Sequence, residues 1–120
     1  MQLAERKFAQ GKAPAYLYMV TWETPVLGGK MRSPHGIDLT FVFDNTDIAG
    51  ALLGPGPQPQ QMAKLMSETF VAFARNGNPN HAGLPVWPAY SPAHRASLHF
   101  DVPPVVVNDS NKDERLFWTS

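Results

Sequence analysis

The sequence predicts an α/β chain, and three observations carry that expectation. Residues 15–22, from Ala15 through Tyr16, Leu17, Tyr18, Met19, Val20 and Thr21 to Trp22, are apolar or weakly polar on both alternating faces. That is the pattern of a strand buried on both sides, as central parallel strands are. Met62, Leu65, Met66, Phe70 and Phe73 recur at three- and four-residue steps, the stripe of an amphipathic helix with one face on a core. Ala96, Leu98 and Phe100 alternate with Ser97, His99 and Asp101, and Val105-Val106-Val107 follows Pro103-Pro104. This period of two predicts a half-exposed strand returning as a second one, a terminal hairpin at a sheet edge.

Taken in order, the chain opens with Leu3 and Phe8 roughly along one helical side and a stop at Gly11, a short helix or the tail of one. Pro14 and Pro25 bracket the first strand. Residues 23–34 form a loop with Pro25, Gly28-Gly29 and Pro34 that delivers His35-Gly36 to the apolar run 37–43. That run fits neither period cleanly and is either a short helix or a turn. Residues 44–59, centred on Gly54-Pro55-Gly56-Pro57, read as a surface loop. The clearest helix covers 60–76 and stops at Gly77. Trp87 and Tyr90 are the expected anchors of the loop 78–92. Asp109 or Ser110 can cap a last helix running through Leu116, Phe117 and Trp118.

Composition removes several function classes. Ten basic against ten acidic residues provide none of the positive excess that nucleic-acid binders carry. The absence of cysteine removes disulfide scaffolds, thiolate metal sites and a cysteine nucleophile. No apolar stretch approaches the roughly 20 residues of a membrane span, and the polar opening segment is unlike a secretory signal, so a soluble, cytoplasmic product is expected. Proline, 12 residues in 120, stands at about twice its usual share and predicts short elements joined by loops. His81, His94 and His99 lack the one-face spacing of zinc ligands and read as structural or surface residues. Gly28-Gly29-Lys30 lacks phosphate-loop spacing and reads as a turn.

His35 differs in context, because it lies on the loop after the buried strand, between Pro34 and a glycine. Loops at the carboxyl ends of α/β strands are where catalytic groups gather. On local chemistry alone it is either a capping or surface histidine or a catalytic one. The surrounding motifs add a resemblance. Tyr16 to Glu23, followed by Ser33-Pro34-His35-Gly36-Ile37-Asp38-Leu39-Thr40-Phe41-Val42-Phe43, is similar to the C-terminal part of type-B carboxylesterases, the cholinesterase and para-nitrobenzyl esterase family of the α/β-hydrolase superfamily. Phe70 to Asn80, Leu84 to Tyr90 and Ser97 to Asp101 continue that similarity in order, so it covers roughly residues 13–118.

The resemblance implies the C-terminal portion of an α/β-hydrolase fold, with residues 1–120 an incomplete domain. It implies that His35 corresponds to the triad base and that Asp38 corresponds to a carboxylate lying near the triad. A serine hydroxyl needs an adjacent imidazole to take its proton and return it to the leaving alcohol, and a carboxylate to hold that imidazole. The family's serine sits in a Gly-x-Ser-x-Gly elbow, and this sequence contains neither that elbow nor a triple-glycine loop. The serine and the acid are therefore expected on another polypeptide, an upstream esterase part, with a small ester as substrate and no cofactor, metal, nucleic acid or membrane partner. The isolated chain is expected to be inactive. The alternative is a non-catalytic remnant that folds as a homo-oligomer by pairing its exposed strand edge.

Overall fold

The computed structural model describes residues 2–119. Gly11, at φ +63°, closes the first helix, α1 (Gln2–Gln10), by donating its N–H to the Phe8 carbonyl (3.0 Å). Its apolar face is not the expected one. Leu3 and Phe8 are 81% and 49% exposed, and Ala4 is the buried residue. The helix docks through polar contacts: Glu5 accepts from the Arg95 guanidinium (3.1 Å) and from the Tyr90 hydroxyl (3.4 Å).

Strand β1 (Leu17–Val20) pairs in parallel with β2 (Ala96–Phe100), and β2 pairs antiparallel with β3 (Val105–Asn108), giving a sheet in the order β1-β2-β3. The register sets Leu17 opposite Ser97 and Val20 opposite Phe100, with His99 opposite Val105 across the hairpin. The edge hairpin is thus present. Burial falls differently from the expectation. Central β2 is the covered strand, with Ala96, Ser97, Leu98 and Phe100 at 3% exposure or less, whereas Tyr18 and Met19 of β1 are each 39% exposed. Position explains this: β2 has a neighbour on each side, and β1 is an edge strand whose outer backbone has no strand partner among the described residues.

Helix α4 (Gln58–Asn76) begins in the proline-rich turn, carries Pro59 in its first turn where no intrahelical N–H is required, and ends at Gly77 in the left-handed region, whose N–H reaches the Phe73 carbonyl (2.8 Å). Met62, Ala63 and Met66 are fully buried, while Phe70 and Phe73 of the same stripe stay 36% and 47% exposed. The core joins this face to Trp22, Trp87, Leu98 and Phe100 and to two residues of α2 (Ile37–Val42), Ile37 and Phe41. Trp22 meets Phe41 edge to face, centroids 5.4 Å apart. The segment expected as a surface loop contains a one-turn helix, α3 (Gly50–Leu53), whose Leu53 is 1% exposed; four residues are too few to show a period. The chain closes with α5 (Lys112–Thr119).

The molecule is flat, 42 × 36 × 20 Å, with a radius of gyration of 15.3 Å against about 13.6 Å for a compact domain of this length. Its accessible surface is 7697 Å², where a compact monomer of this mass exposes about 6400 Å². No helix is long and apolar enough to cross a membrane among the described residues.

Candidate active site

The site is built where the two parallel strands end. The Phe100 carbonyl at the end of β2 accepts from the backbone N–H groups of Thr21 (3.0 Å) and Trp22 (3.1 Å) and from the Thr21 hydroxyl (3.3 Å). The base of the following loop is thereby tied to β2. The loop then makes a 3₁₀ turn (Val26–Gly29) and returns, with the Thr24 N–H donating to the Arg32 carbonyl (3.0 Å) and the Ser33 hydroxyl donating to the Val20 carbonyl (3.1 Å). Gly28-Gly29-Lys30 is a turn, as its spacing indicates.

His35 stands at the apex that follows. The Ile37 N–H donates to the Pro34 carbonyl (3.2 Å) and Gly36 has φ +80°, ψ +1°, the third-residue geometry of a type II turn. That position requires a positive φ, which glycine adopts without a Cβ penalty. The His-Gly pair therefore has a local reason: glycine makes the turn that presents the imidazole. His35 is exposed and, among the described residues, has no hydrogen-bond partner. Its ring is open to an incoming group. Immediately after it, Ile37 and Phe41, four residues apart, bury the inner side of α2 and fix the turn to the core.

Asp38 lies half-buried in the first turn of α2, and no hydrogen bond links it to His35 among the described residues. Its charge is felt instead by Tyr18 on β1, whose phenol is pushed above its ordinary value chiefly by burial and further by Asp38. Tyr18 packs edge to face on Phe70 (5.8 Å) and Phe100 (5.6 Å), so it joins β1 to β2 and α4. Tyr18, Thr24 and Ser33 are the surroundings that sequence reasoning did not single out. Ser33 beside a loop proline was the available signal. Thr24 had none, since its partner lies in α3, the element read as loop.

The remaining histidines are placed elsewhere. His81 is structural: Thr69 Oγ gives its proton to the Leu65 carbonyl (2.6 Å), which leaves His81 Nε2 (3.0 Å) as the donor to Thr69, while His81 Nδ1 lies 3.2 Å from the Gly83 nitrogen and 3.3 Å from the Glu68 carboxylate. His94 is exposed, and His99, expected on a polar strand face, is half-buried on the central strand. No group of three His, Asp or Glu side chains is arranged to hold a metal ion among the described residues.

A mixed sheet with β1 and β2 parallel and helices packed on it defines an α/β class, and solved structures agree on the fold. The chain superposes on a carboxylesterase from Geobacillus stearothermophilus with a TM-score of 0.80 and 36% identity, covering 96% of this chain and 24% of that one. A thermophilic PNB esterase gives 0.81 at 23% identity, covering 94% and 23%. These are α/β-hydrolase esterases, and the present mixed sheet with its helices is a portion of that fold. A sequence profile of the carboxylesterase family matches residues 1–118. Human cocaine esterase is 30% identical over 115 residues, which is 92% of this chain and 20% of the relative; a phenmedipham hydrolase from Pseudarthrobacter oxydans is 30% identical over 83 residues, 66% and 17%. The chain belongs to the carboxylesterase family and spans about a fifth of the length of the curated relatives it matches.

Proposed function

We propose that this chain supplies the general base of a serine carboxylesterase, with His35 taking the proton of a serine hydroxyl carried by another polypeptide and returning it to the leaving alcohol of a small ester. The observation that carries this reading is the exposed imidazole of His35, without a hydrogen-bond partner among the described residues, on a type II turn at the ends of the parallel strands in a chain of this family. Asp38 acts beside it as a supporting carboxylate through its place at the start of α2. Residues 1–120 are an incomplete domain in this reading. Two features support that: the excess surface over a compact monomer, and the partial exposure, 36–47%, of the apolar residues Tyr18, Met19, Phe70 and Phe73 on the predicted apolar faces.

The test is to mix the chain with a polypeptide holding the preceding part of a carboxylesterase, including its serine elbow and acid, and to measure turnover of short-chain aryl esters. Turnover above that of either piece alone is expected, and none above the separate pieces rejects the proposal. One observation favours a second partner reading: the outer edge of β1, which carries Tyr18 and Met19, has no strand partner among the described residues, so two copies can pair these edges across a two-fold axis in a non-catalytic homo-oligomer. Sedimentation at micromolar concentration separates the two. A monomer that gains activity on mixing supports the esterase reading, and a dimer that gains none supports the remnant.

A further inference from the structure

We propose that Ser33 and Thr24 are positioning residues for His35, an inference that rests on reading His35 as the esterase base. Among the described residues the imidazole has no hydrogen-bond partner, so its location is set by the backbone on either side. On the far side the type II turn and the buried Ile37 and Phe41 provide the hold. On the near side lies the loop 21–34, long enough to move unless it is laced.

Two hydroxyls lace it. Ser33 returns the end of the loop to the end of β1 by donating to the Val20 carbonyl at 3.1 Å, two residues before the imidazole. Thr24, 0% exposed, donates to the Leu52 carbonyl at 2.6 Å, accepts from the Val26 N–H at 3.2 Å and gives its own N–H to Arg32. It joins the loop both to itself and to α3. The ion pair Arg32–Glu23 at 2.9 Å also spans the loop, but both side chains are widely exposed and such pairs contribute little. A second observation points the same way. Leu27 and Arg32 both hold φ +55°, a strained left-handed backbone for residues with a Cβ that persists only where surrounding contacts enforce it. Arg32 adjoins Ser33 directly. Releasing either hydroxyl lets this strain relax into the segment that carries His35.

The test compares Ser33→Ala and Thr24→Val with the conservative Ser33→Thr and Thr24→Ser, in the 120-residue chain and in the mixed esterase. In the chain, amide hydrogen exchange at Thr24 and Ile37 is expected to accelerate at least about tenfold in Ser33→Ala, with Gly77 at the end of α4 unchanged; Ser33→Thr restores it. In the mixture, kcat is expected to fall about ten- to a hundredfold with KM unchanged. Ser33→Ala carries the test if Thr24→Val does not fold. Wild-type exchange at both amides in Ser33→Ala overturns the proposal, as does an unchanged kcat in an active mixture. If the wild-type mixture shows no turnover, the esterase reading of His35 fails with it, and the exchange data alone decide whether the two hydroxyls hold the loop.

Discussion

At the scale of single residues, glycine substitutions discriminate between two kinds of constraint. Gly36 needs φ +80° to make the turn under His35, yet a Cβ there would meet nothing within 4 Å. Gly36→Ala should therefore cost only the left-handed backbone penalty, ~1–2 kcal/mol in urea unfolding. Gly54 combines φ +74° with ψ −179°, a region essentially reserved for glycine, and a Cβ would lie 2.9 Å from Pro25 Cγ. Gly54→Ala should cost more, ~3 kcal/mol, and equal losses for the two would contradict this account. The candidate site was legible at this scale only in part. His35 and Asp38 stand in a motif that the chain displays openly, whereas the roles of Ser33 and Thr24 arise from partners 13 and 28 residues away, contacts that no local pattern encodes.

Elements were legible where a period runs long enough to be read. The 19 residues of α4 carry more than four helical turns of pattern, and alternation through Ala96–Phe100 was enough to place β2. The four residues of α3 carry no such pattern, and a glycine- and proline-rich context hid it. Element packing gives two expectations. Phe41 is the side chain of α2 that reaches Trp22 and the α4 face at 0% exposure, so Phe41→Ala should lose about 3–5 kcal/mol and loosen the segment carrying His35; a loss under about 1 kcal/mol would show that α2 is not anchored this way. At the other end, Asp109, just after β3, accepts from Arg115 of α5 at 3.0 and 2.6 Å. This bonding to Arg115 holds the Asp109 carboxyl below its ordinary range. A carboxyl titrating lower in the folded than in the unfolded chain stabilises the fold above its unfolded pKa of about 3.9 and loses that contribution as pH falls through the folded value. The thermal stability gap between wild type and Asp109→Asn should thus be open at neutral pH and close in strong acid. A gap that widens on acidification would reverse the sign.

For the whole molecule, burial is what the sequence alone could not assign. Residues 15–22 carry the composition of a strand covered on both faces, and β1 is that strand, but its edge and half of its side chains are open. The same holds for Phe70 and Phe73 on α4. The chain exposes 7697 Å² against about 6400 Å² for a compact monomer, and Tyr18, Met19, Phe70 and Phe73 on the predicted apolar faces contribute to that exposure. A length sufficient for a small domain is here organised as a flat portion of the carboxylesterase fold, with His35 exposed on the loop after β1. The most direct measurement is ester turnover in the mixture of this chain with the preceding esterase polypeptide, compared between wild type and His35→Ala. The account predicts that assembly is retained and that kcat falls by about a thousandfold or more. Turnover that survives His35→Ala, with the mixed complex intact, would contradict it.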